Sequence, residues 1–268
     1  MADSKIEWTD KTWNPVIGCS KVSEGCRHCY AMWMAYRCAA CGIKSYKGLT
    51  KKTPSGIEWT NTVRCLPEKL EDLLHWKKPC RIFVNSMSDL FHPDVPDQFI
   101  IDVFLTMSKA RQHTFQILTK RPERMLSFFQ GCPASPPIFP LPNVWIGVSV
   151  ENQIAAEKRI RLLLETPAEI RFLSVEPLFA DVDISEAITP PLYLNKVDWV
   201  IAGCESGPGR RPAKIEWFRS LKDQCTSAGI PFFLKQMEVN GKIEKMPVLD
   251  GRVWNQYPGC LTGETKHA

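Results

Sequence analysis

The chain has 268 residues, 44% of them hydrophobic, and its 34 lysines and arginines against 29 acidic residues give a formal net charge of +5. This length suits a single α/β domain over residues 1–268 better than two domains. The charge permits an anionic ligand but lacks the concentrated excess of a dedicated nucleic-acid binder. No apolar stretch reaches the ~18 residues of a membrane-spanning helix, and the first residues do not form an export signal. We therefore expect a soluble, cytoplasmic protein that does not enter a membrane.

The first predicted elements precede residue 81. A strand is predicted over Thr12 to Gly18, another over Glu58 to Arg64, and a helix from about Pro67 with leucines on one face. From residue 81 onward, β-rich apolar runs recur at intervals of roughly 27 to 34 residues. These runs are Arg81 to Met87, Thr114 to Thr119, Asn143 to Ser149, Ile170 to Val175, Val197 to Gly203 and Pro231 to Gln236.

Amphipathic segments fill most of the intervals between these strands. The clearest predicted helices are Pro96 to Ala110, Gln153 to Glu165 and Ile215 to Ala228. Strands that alternate with helices indicate βα units and a parallel sheet. Six to eight such units favour an α/β fold, a partial or closed (β/α) barrel, over an open doubly wound sheet. We expect a proline-rich surface loop at residues 132–142 and a C-terminal tail from about residue 238.

The cysteines indicate metal ligation. Eleven cysteines in a reducing compartment are not a disulfide framework. Cys19, Cys26 and Cys29 lie in one loop, residues 13–30, at C-x6-C-x2-C spacing. Three thiolates can ligate three irons of a [4Fe–4S] cluster and leave the fourth iron open for another ligand.

A zinc site is the alternative interpretation. Cys38 and Cys41 form a second CxxC, so Cys26, Cys29, Cys38 and Cys41 could supply four thiolates to one zinc ion. Such a protein would be a zinc-stabilised nucleic-acid-binding or adaptor protein without catalysis. Cys19 has no role in that version, and residues 30–37 are typical of a helix that carries Cys38 away from the loop. A cluster that serves only as an electron carrier or sensor is a further alternative.

The cysteine loop resembles that of the radical S-adenosylmethionine (SAM) superfamily, and most closely the phage-encoded three-cysteine-motif proteins. The resemblance rests on Trp13-Asn14-Pro15, on Gly25 to Tyr30 and on later strand ends, and extends from about Ile6 to Met237. It implies a bacterial or phage-infected cell and an enzyme whose [4Fe–4S] cluster, given an electron by a donor, cleaves SAM to a 5′-deoxyadenosyl radical. Cys19, Cys26 and Cys29 would then be the cluster ligands, and His28 would lie near the adenine. Six residues separate the first two cysteines, where most of the superfamily has three.

Polar residues follow several predicted strands, where the chemistry of a barrel collects. The resemblance implies that Asn85, Ser86 and Asp89 bind the amino group of SAM, whereas capping of the next helix is the other interpretation. Lys120 and Arg121 precede a helix start and suit an anion such as the SAM carboxylate or a substrate phosphate. A solvated charge pair fits the same residues.

Acidic residues end two further strands. Ser149, Glu151 and Glu176 suit the ribose of SAM or the substrate, because a carboxylate accepts two hydrogen bonds from a diol. Glu151 could instead interact with a helix dipole.

A glycine-rich block, residues 203–212, follows the strand that ends at Gly203. Here Cys204 and Glu205 are the candidate catalytic residues, Cys204 as a hydrogen-donating thiol, and Glu205, Arg210 and Arg211 could grip a ligand. The family resemblance would place a glycine at 204, and a tight turn is the simpler interpretation of the block. The substrate expected from these residues is polar, perhaps a nucleotide or nucleic acid. The resemblance also implies a dedicated partner protein.

Overall fold

The structure, a computed structural model, describes residues 4–54, 56–131, 139–189, 195–207 and 209–259. Part of the expected proline-rich loop, residues 132–138, therefore lies outside the described residues, as does the chain beyond residue 259. Among the described helices, none has the length and apolar character needed to cross a membrane. The chain divides into two compact units, one of Met1–Trp145 with Pro167–Glu169 and the other of Ile146–Thr166 with Ile170–Ala268. The single domain expected from the chain length stays a prediction.

Within the described residues, fourteen strands and seven α-helices form in chain order. The strands are β1 (Lys11–Trp13), β2 (Val16–Ile17), β3 (Thr50–Thr53), β4 (Gly56–Trp59), β5 (Arg64–Cys65), β6 (Arg81–Val84), β7 (Thr114–Thr119), β8 (Val144–Ser149), β9 (Ile170–Val175), β10 (Trp199–Gly203), β11 (Phe232–Val239), β12 (Lys242–Lys245), β13 (Val248–Leu249) and β14 (Arg252–Val253). The helices are α1 (Tyr30–Ala40), α2 (Glu68–Asp72), α3 (Asp97–Lys109), α4 (Pro122–Gly131), α5 (Gln153–Glu165), α6 (Ser185–Ile188) and α7 (Ile215–Ser227).

The main sheet has eight strands in the order β1-β6-β7-β8-β9-β10-β11-β12. The pairs β1–β6, β6–β7, β9–β10 and β10–β11 are parallel, and β11–β12 is antiparallel. A strand that returns parallel to its predecessor needs a crossover, which α3, α5 and α7 supply as predicted. The α/β fold class is therefore confirmed.

The strand predicted over Glu58 to Arg64 lies elsewhere. The chain forms β4 at Gly56–Trp59, which pairs with β3 in a separate antiparallel hairpin, and β5 pairs with β2 in another two-stranded sheet. An alternating pattern predicts a half-buried strand but does not predict its partner. These small sheets belong to the connection between β1 and β6.

The expected tail from about residue 238 contains three short strands. Asn240 and Gly241, with φ angles of 51° and 78°, connect β11 to β12, and Asp250 and Gly251, with φ angles of 51° and 85°, connect β13 to β14. Asn-Gly and Asp-Gly are the residue pairs that two-residue hairpins prefer, because both positions need a positive φ. These two dipeptides were the sequence signal for the hairpins.

Each unit has apolar packing of its own. In the first, Ala31, Met32 and Ala35 of α1 pack into a cluster with Leu49 and Trp59. In the second, Phe172 of β9 and Trp199 of β10 are fully buried and pack ring to ring, with centroids 5.6 Å apart. The inner face of α1 and the parallel strands thus provide fixed positions for the loops that follow.

The ring of Phe172 leaves no room for a side chain at Gly147, where a Cβ atom would lie 2.6 Å from the ring. We expect Gly147→Ala to lower the free energy of unfolding by about 1–3 kcal/mol through overpacking. At Gly131, the last residue of α4, an added Cβ would meet nothing within 4 Å. Gly131→Ala should therefore raise stability slightly, because alanine is the better helix former. Urea unfolding compares the two variants, and equal effects would contradict the packing argument.

Candidate functional site

The cysteine loop lies in the first unit, between β2 and α1. Cys19 follows Gly18, Cys26 ends a short 3-10 turn at Glu24–Cys26, and Cys29 is the N-cap residue of α1. Gly18 has a φ of +86°, and a Cβ atom there would lie 2.2 Å from the backbone oxygen of Thr62. Only glycine satisfies both conditions, so the chain path into Cys19 depends on it.

The three thiols of the loop interact with one another. The pKa of Cys19 is raised to about 12, first by burial and then by the Asp89 carboxylate, against the opposing charge of Arg121, and both Cys26 and Cys29 add to the increase. Burial likewise raises the pKa of Cys29, and the charges of Cys26 and Lys120 act on it in opposite directions. Because the thiolate is the form that binds a metal, a metal at this loop would have to displace the protons that burial holds on Cys19 and Cys29.

The four-cysteine zinc site is excluded by the geometry of α1. Cys29 precedes this helix and Cys41 follows it. Twelve residue steps at the helical rise separate their Cα atoms by about 18 Å, whereas the thiolates of one zinc ion lie within about 4 Å of each other. Within the described ranges, no group of three or more His, Cys, Asp or Glu side chains is placed to hold a single metal ion. A cluster takes each thiolate on a separate iron, so its ligands need not converge on one atom.

Ser86 and Met87, which follow β6, hold the cysteine loop through four hydrogen bonds. Asn14 Oδ1 accepts hydrogen bonds from Ser86 Oγ at 3.2 Å and from the Met87 backbone N–H at 3.0 Å. The Gly18 N–H donates to the Met87 carbonyl at 3.1 Å. The Tyr30 hydroxyl donates to the Ser86 carbonyl at 2.8 Å. Ser86, predicted to contact SAM, is therefore engaged with the loop through both its side chain and its carbonyl group.

Asn85 presents a buried donor at the same place. Its backbone has a φ of 62°, which asparagine tolerates, and its N–H donates to the Trp13 carbonyl at 2.8 Å. The side-chain Oδ1 accepts from the Val16 N–H at 3.1 Å, which fixes the amide orientation. Its Nδ2 atom is buried and has no hydrogen-bond partner among the described residues. The available group is a donor, so it suits a carboxylate better than the amino group that the sequence analysis assigned to it.

Asp89 and Arg121 form a buried ion pair, with Nη1 and Oδ2 3.2 Å apart. Asp89 also accepts from Thr119 Oγ1 at 2.8 Å, from the Phe91 N–H at 3.0 Å and from the Lys120 N–H at 3.0 Å. These four bonds fill the acceptor capacity of the carboxylate. The contact of Asp89 with SAM stays a prediction, but the structure gives this side chain a positioning role.

Arg121 connects this ion pair to the cysteine loop. Its Nη1 lies 3.8 Å from Cys19 Sγ, and its Nη2 donates to the carbonyl and the hydroxyl of Ser20, both at 2.9 Å. His92 Nε2 lies 2.7 Å from the same hydroxyl. Of the two cations predicted to bind an anion, Lys120 and Arg121, the structure places Arg121 in contact with a cysteine, and anion binding by Lys120 stays a prediction. His28 is partly buried in the loop between Cys26 and Cys29.

In the second unit, the acidic strand ends are paired within the protein. Glu151 is buried and accepts from Arg159 Nη1 at 2.9 Å, and the same guanidinium donates to the Ser149 carbonyl at 2.7 Å. Glu176, after β9, accepts from Lys235 Nζ at 2.7 Å. A Cβ atom at Gly203, on the intervening strand β10, would lie 2.9 Å from the Glu176 carboxylate. Gly203 therefore lets this ion pair span β10, and the ribose role of these residues stays a prediction.

The block after β10 is held by two further ion pairs. Glu205 is buried and binds Arg211 through both carboxylate oxygens, and the Arg211 guanidinium lies 3.7 Å from the centroid of the Phe179 ring. Arg210 Nε donates to Glu238 at 2.9 Å. Arg211 and Glu238 are thus the partners that sequence reasoning missed for Glu205 and Arg210. The catalytic assignment of Cys204 and Glu205 stays a prediction.

Solved structures of spore photoproduct lyase mutants are similar in fold. One has a TM-score of 0.50 at 8% sequence identity and covers 87% of this chain and 78% of its own. A second has a TM-score of 0.42 at 7% identity, covering 83% and 75%. A third, with bound AdoMet and dinucleoside spore photoproduct, has a TM-score of 0.38 at 9% identity, covering 80% and 60%. The first likeness shows the fold alone, and it agrees with the expected fold class, an α/β partial barrel.

Within that class, the chain belongs to the DUF5131 family, whose description is "Protein of unknown function" and whose model matches residues 3–258. No curated protein matches the sequence. The finer resemblance to phage-encoded three-cysteine-motif proteins stays a prediction.

The Asp89–Arg121 pair allows a test of the loop anchor. Asp89→Asn or Arg121→Met alone should cost about 3–5 kcal/mol of unfolding free energy, because each leaves a buried charge without its partner. The double variant should cost less than the sum, with a coupling of about 1–3 kcal/mol in urea unfolding. The exposed pair Lys69–Asp72, 2.8 Å apart, is the matched control and should couple by less than about 1 kcal/mol. Additive effects at 89 and 121 would contradict the anchor.

Cys204 should resist alkylation in the folded protein. Burial raises the pKa of its thiol to about 11, so the reactive thiolate is scarce at about pH 8 and increases only as the pH approaches that value. Cys225, buried with a pKa of about 12, should behave alike, whereas exposed Cys41 should react quickly with iodoacetamide. Mass spectrometry of peptides after timed labelling gives the three rates. Fast labelling of Cys204 alone would show that its thiol is accessible to ligands.

Proposed function

We propose that this protein is a radical SAM enzyme that modifies a polar substrate, a nucleotide or nucleic acid. The observation that carries the proposal is the cysteine loop, which holds Cys19, Cys26 and Cys29 at C-x6-C-x2-C spacing and in which Arg121 Nη1 lies 3.8 Å from Cys19 Sγ. The loop is hydrogen-bonded to Asn85, whose buried Nδ2 is a donor without a partner among the described residues. The fold class supports the proposal independently, since it is the one that the resemblance to radical SAM enzymes implied.

The residues of the loop fit a [4Fe–4S] cluster. Cys19, Cys26 and Cys29 would each bind one iron, and the fourth iron would accept SAM. When bound, the cluster would supply the one-electron reduction that cleaves SAM, with the electron drawn from a separate donor protein.

The surrounding side chains would prepare the site for negative charge. Thiolate ligands concentrate negative charge, and the Arg121 guanidinium beside Cys19 offsets it in a buried setting where a lone charge is costly. Asp89 holds that guanidinium in one orientation through its own four hydrogen bonds. Asn85 Nδ2 would donate to the carboxylate of SAM, and His28 would lie near the adenine.

Reduction under anaerobic conditions tests the activity. Protein reconstituted with iron and sulfide, reduced with dithionite and incubated with SAM, should release 5′-deoxyadenosine and methionine, measured by liquid chromatography. Cys19→Ala, Cys26→Ala and Cys29→Ala should each abolish this product and the brown absorbance of the cluster, because three thiolates hold it.

Cys38→Ala and Cys41→Ala are the matched controls, since both thiols lie at the far end of α1 from Cys29. Both variants should keep the absorbance and the product. Loss of iron in these controls, or a colourless protein that binds stoichiometric zinc, would contradict the proposal. A brown protein that never forms 5′-deoxyadenosine would make the cluster an electron carrier or sensor instead.

A further inference from the structure

The segment that includes the last two cysteines of the loop is more basic than the chain as a whole. Residues 25–57 contain six lysines and arginines and no aspartate or glutamate, although the whole chain is nearly balanced at 34 against 29. Glu24 and Glu58 border this acid-free segment. Glu58 lies opposite Lys51 in the β3–β4 hairpin, and its carboxylate is bound by Lys21 at 2.6 Å. The segment, which includes Cys26 and Cys29, therefore carries positive charge that no acidic residue within it offsets.

Aromatic side chains are exposed on α1 within the same segment. The inner face of this helix, Ala31, Met32 and Ala35, is buried, whereas Trp33 is 55% exposed. The Trp33 ring stacks on Tyr36, with centroids 5.7 Å apart and an interplanar angle of 21°. A tryptophan exposed to this extent is not explained by packing of the core, which uses the opposite face of the helix.

Two cations flank this aromatic pair. Lys52 Nζ, from β3, lies 5.5 Å from the centroid of the Tyr36 ring. Arg37 is exposed one helical turn after Trp33 and makes no ion pair with an acidic side chain in the described part of the chain. Stacked rings flanked by unneutralised cations are complementary to unpaired bases on a phosphate backbone.

We infer that Trp33, Tyr36, Arg37 and Lys52 form a platform that binds single-stranded nucleic acid. A base would stack on the exposed Trp33 ring, and the cations would contact the flanking phosphates. A duplex conceals its base faces, so the platform suits a single strand. Trp33 lies about 6 Å along the helix axis from Cys29, which places a stacked base close to the cysteine loop. That the strand is the substrate rests on the proposed function, whereas its binding does not.

Fluorescence anisotropy with labelled oligonucleotides of about 12 nucleotides, DNA and RNA, tests the platform in the absence of SAM and reductant. The full-length protein should bind single strands more tightly than the same sequence as a duplex. Trp33→Ala should weaken binding roughly 5- to 100-fold, because it removes a stacking surface, and Trp33→Phe should restore part of it. Lys52→Ala and Arg37→Ala should each flatten the plot of log K against log salt by about 0.7.

Trp217→Ala is the matched control, because Trp217 lies on α7 rather than α1 and is also partly exposed. It likewise has a lysine beside its ring, since Lys214 Nζ lies 5.6 Å from the ring centroid. It should leave binding unchanged. Equal loss in Trp217→Ala and Trp33→Ala, a preference for duplex, or binding to phosphatidylserine vesicles but not to oligonucleotides would overturn the inference. Failure of binding with normal release of 5′-deoxyadenosine would remove the platform and leave the proposed function intact.

Discussion

The cysteine loop depends on the buried Asp89 carboxylate. A charge with so little exposure is stable only when it is paired and fully hydrogen-bonded, and Asp89 meets both conditions through Arg121 and three further donors. The same guanidinium then reaches Ser20 and Cys19. Because Asp89 follows β6 and Arg121 follows β7, two parallel strands of the first unit hold the loop through one salt bridge. Loop geometry and the charge around the thiols therefore share a single anchor.

The regular part of the fold could be predicted from the sequence because burial repeats along it. The bounds of β7, β9 and α5 match those expected, because runs of apolar residues and the periodicity of amphipathic helices are visible in the local sequence. The β3–β4 hairpin could not be predicted in the same way, because the pattern at Trp59 shows that one side is buried without naming the surface that buries it. The β11–β12 hairpin was predictable from Asn240-Gly241, whose left-handed backbone dictates the turn.

The sequence predicts which residues belong to the candidate site but not which side chains form ion pairs with one another. The spacing of the three cysteines and the order of the strands are enough to select the candidate residues. Whether a strand-end carboxylate is available to a ligand depends on partners from distant segments, such as Lys235, which is 59 residues from Glu176. Glu176 can extend across β10 to Lys235 only because Gly203 has no side chain. No local pattern encodes such a contact, so the sequence predicts an acidic residue at the strand end but not the ion pair that this residue makes.

Helix α1 links the cysteine loop to the proposed platform of Trp33, Tyr36, Arg37 and Lys52. Cys29 begins α1, and the residues that follow divide between a buried face that fixes the helix and an exposed face that carries Trp33 and Arg37. Rigid packing of Ala31, Met32 and Ala35 holds both faces in a constant relation to Cys29. A ligand on the exposed face would thus be positioned by the helix that the cysteine starts. The absence of acidic residues between Glu24 and Glu58 fits such a ligand, since one carboxylate between them would weaken attraction for a phosphate backbone.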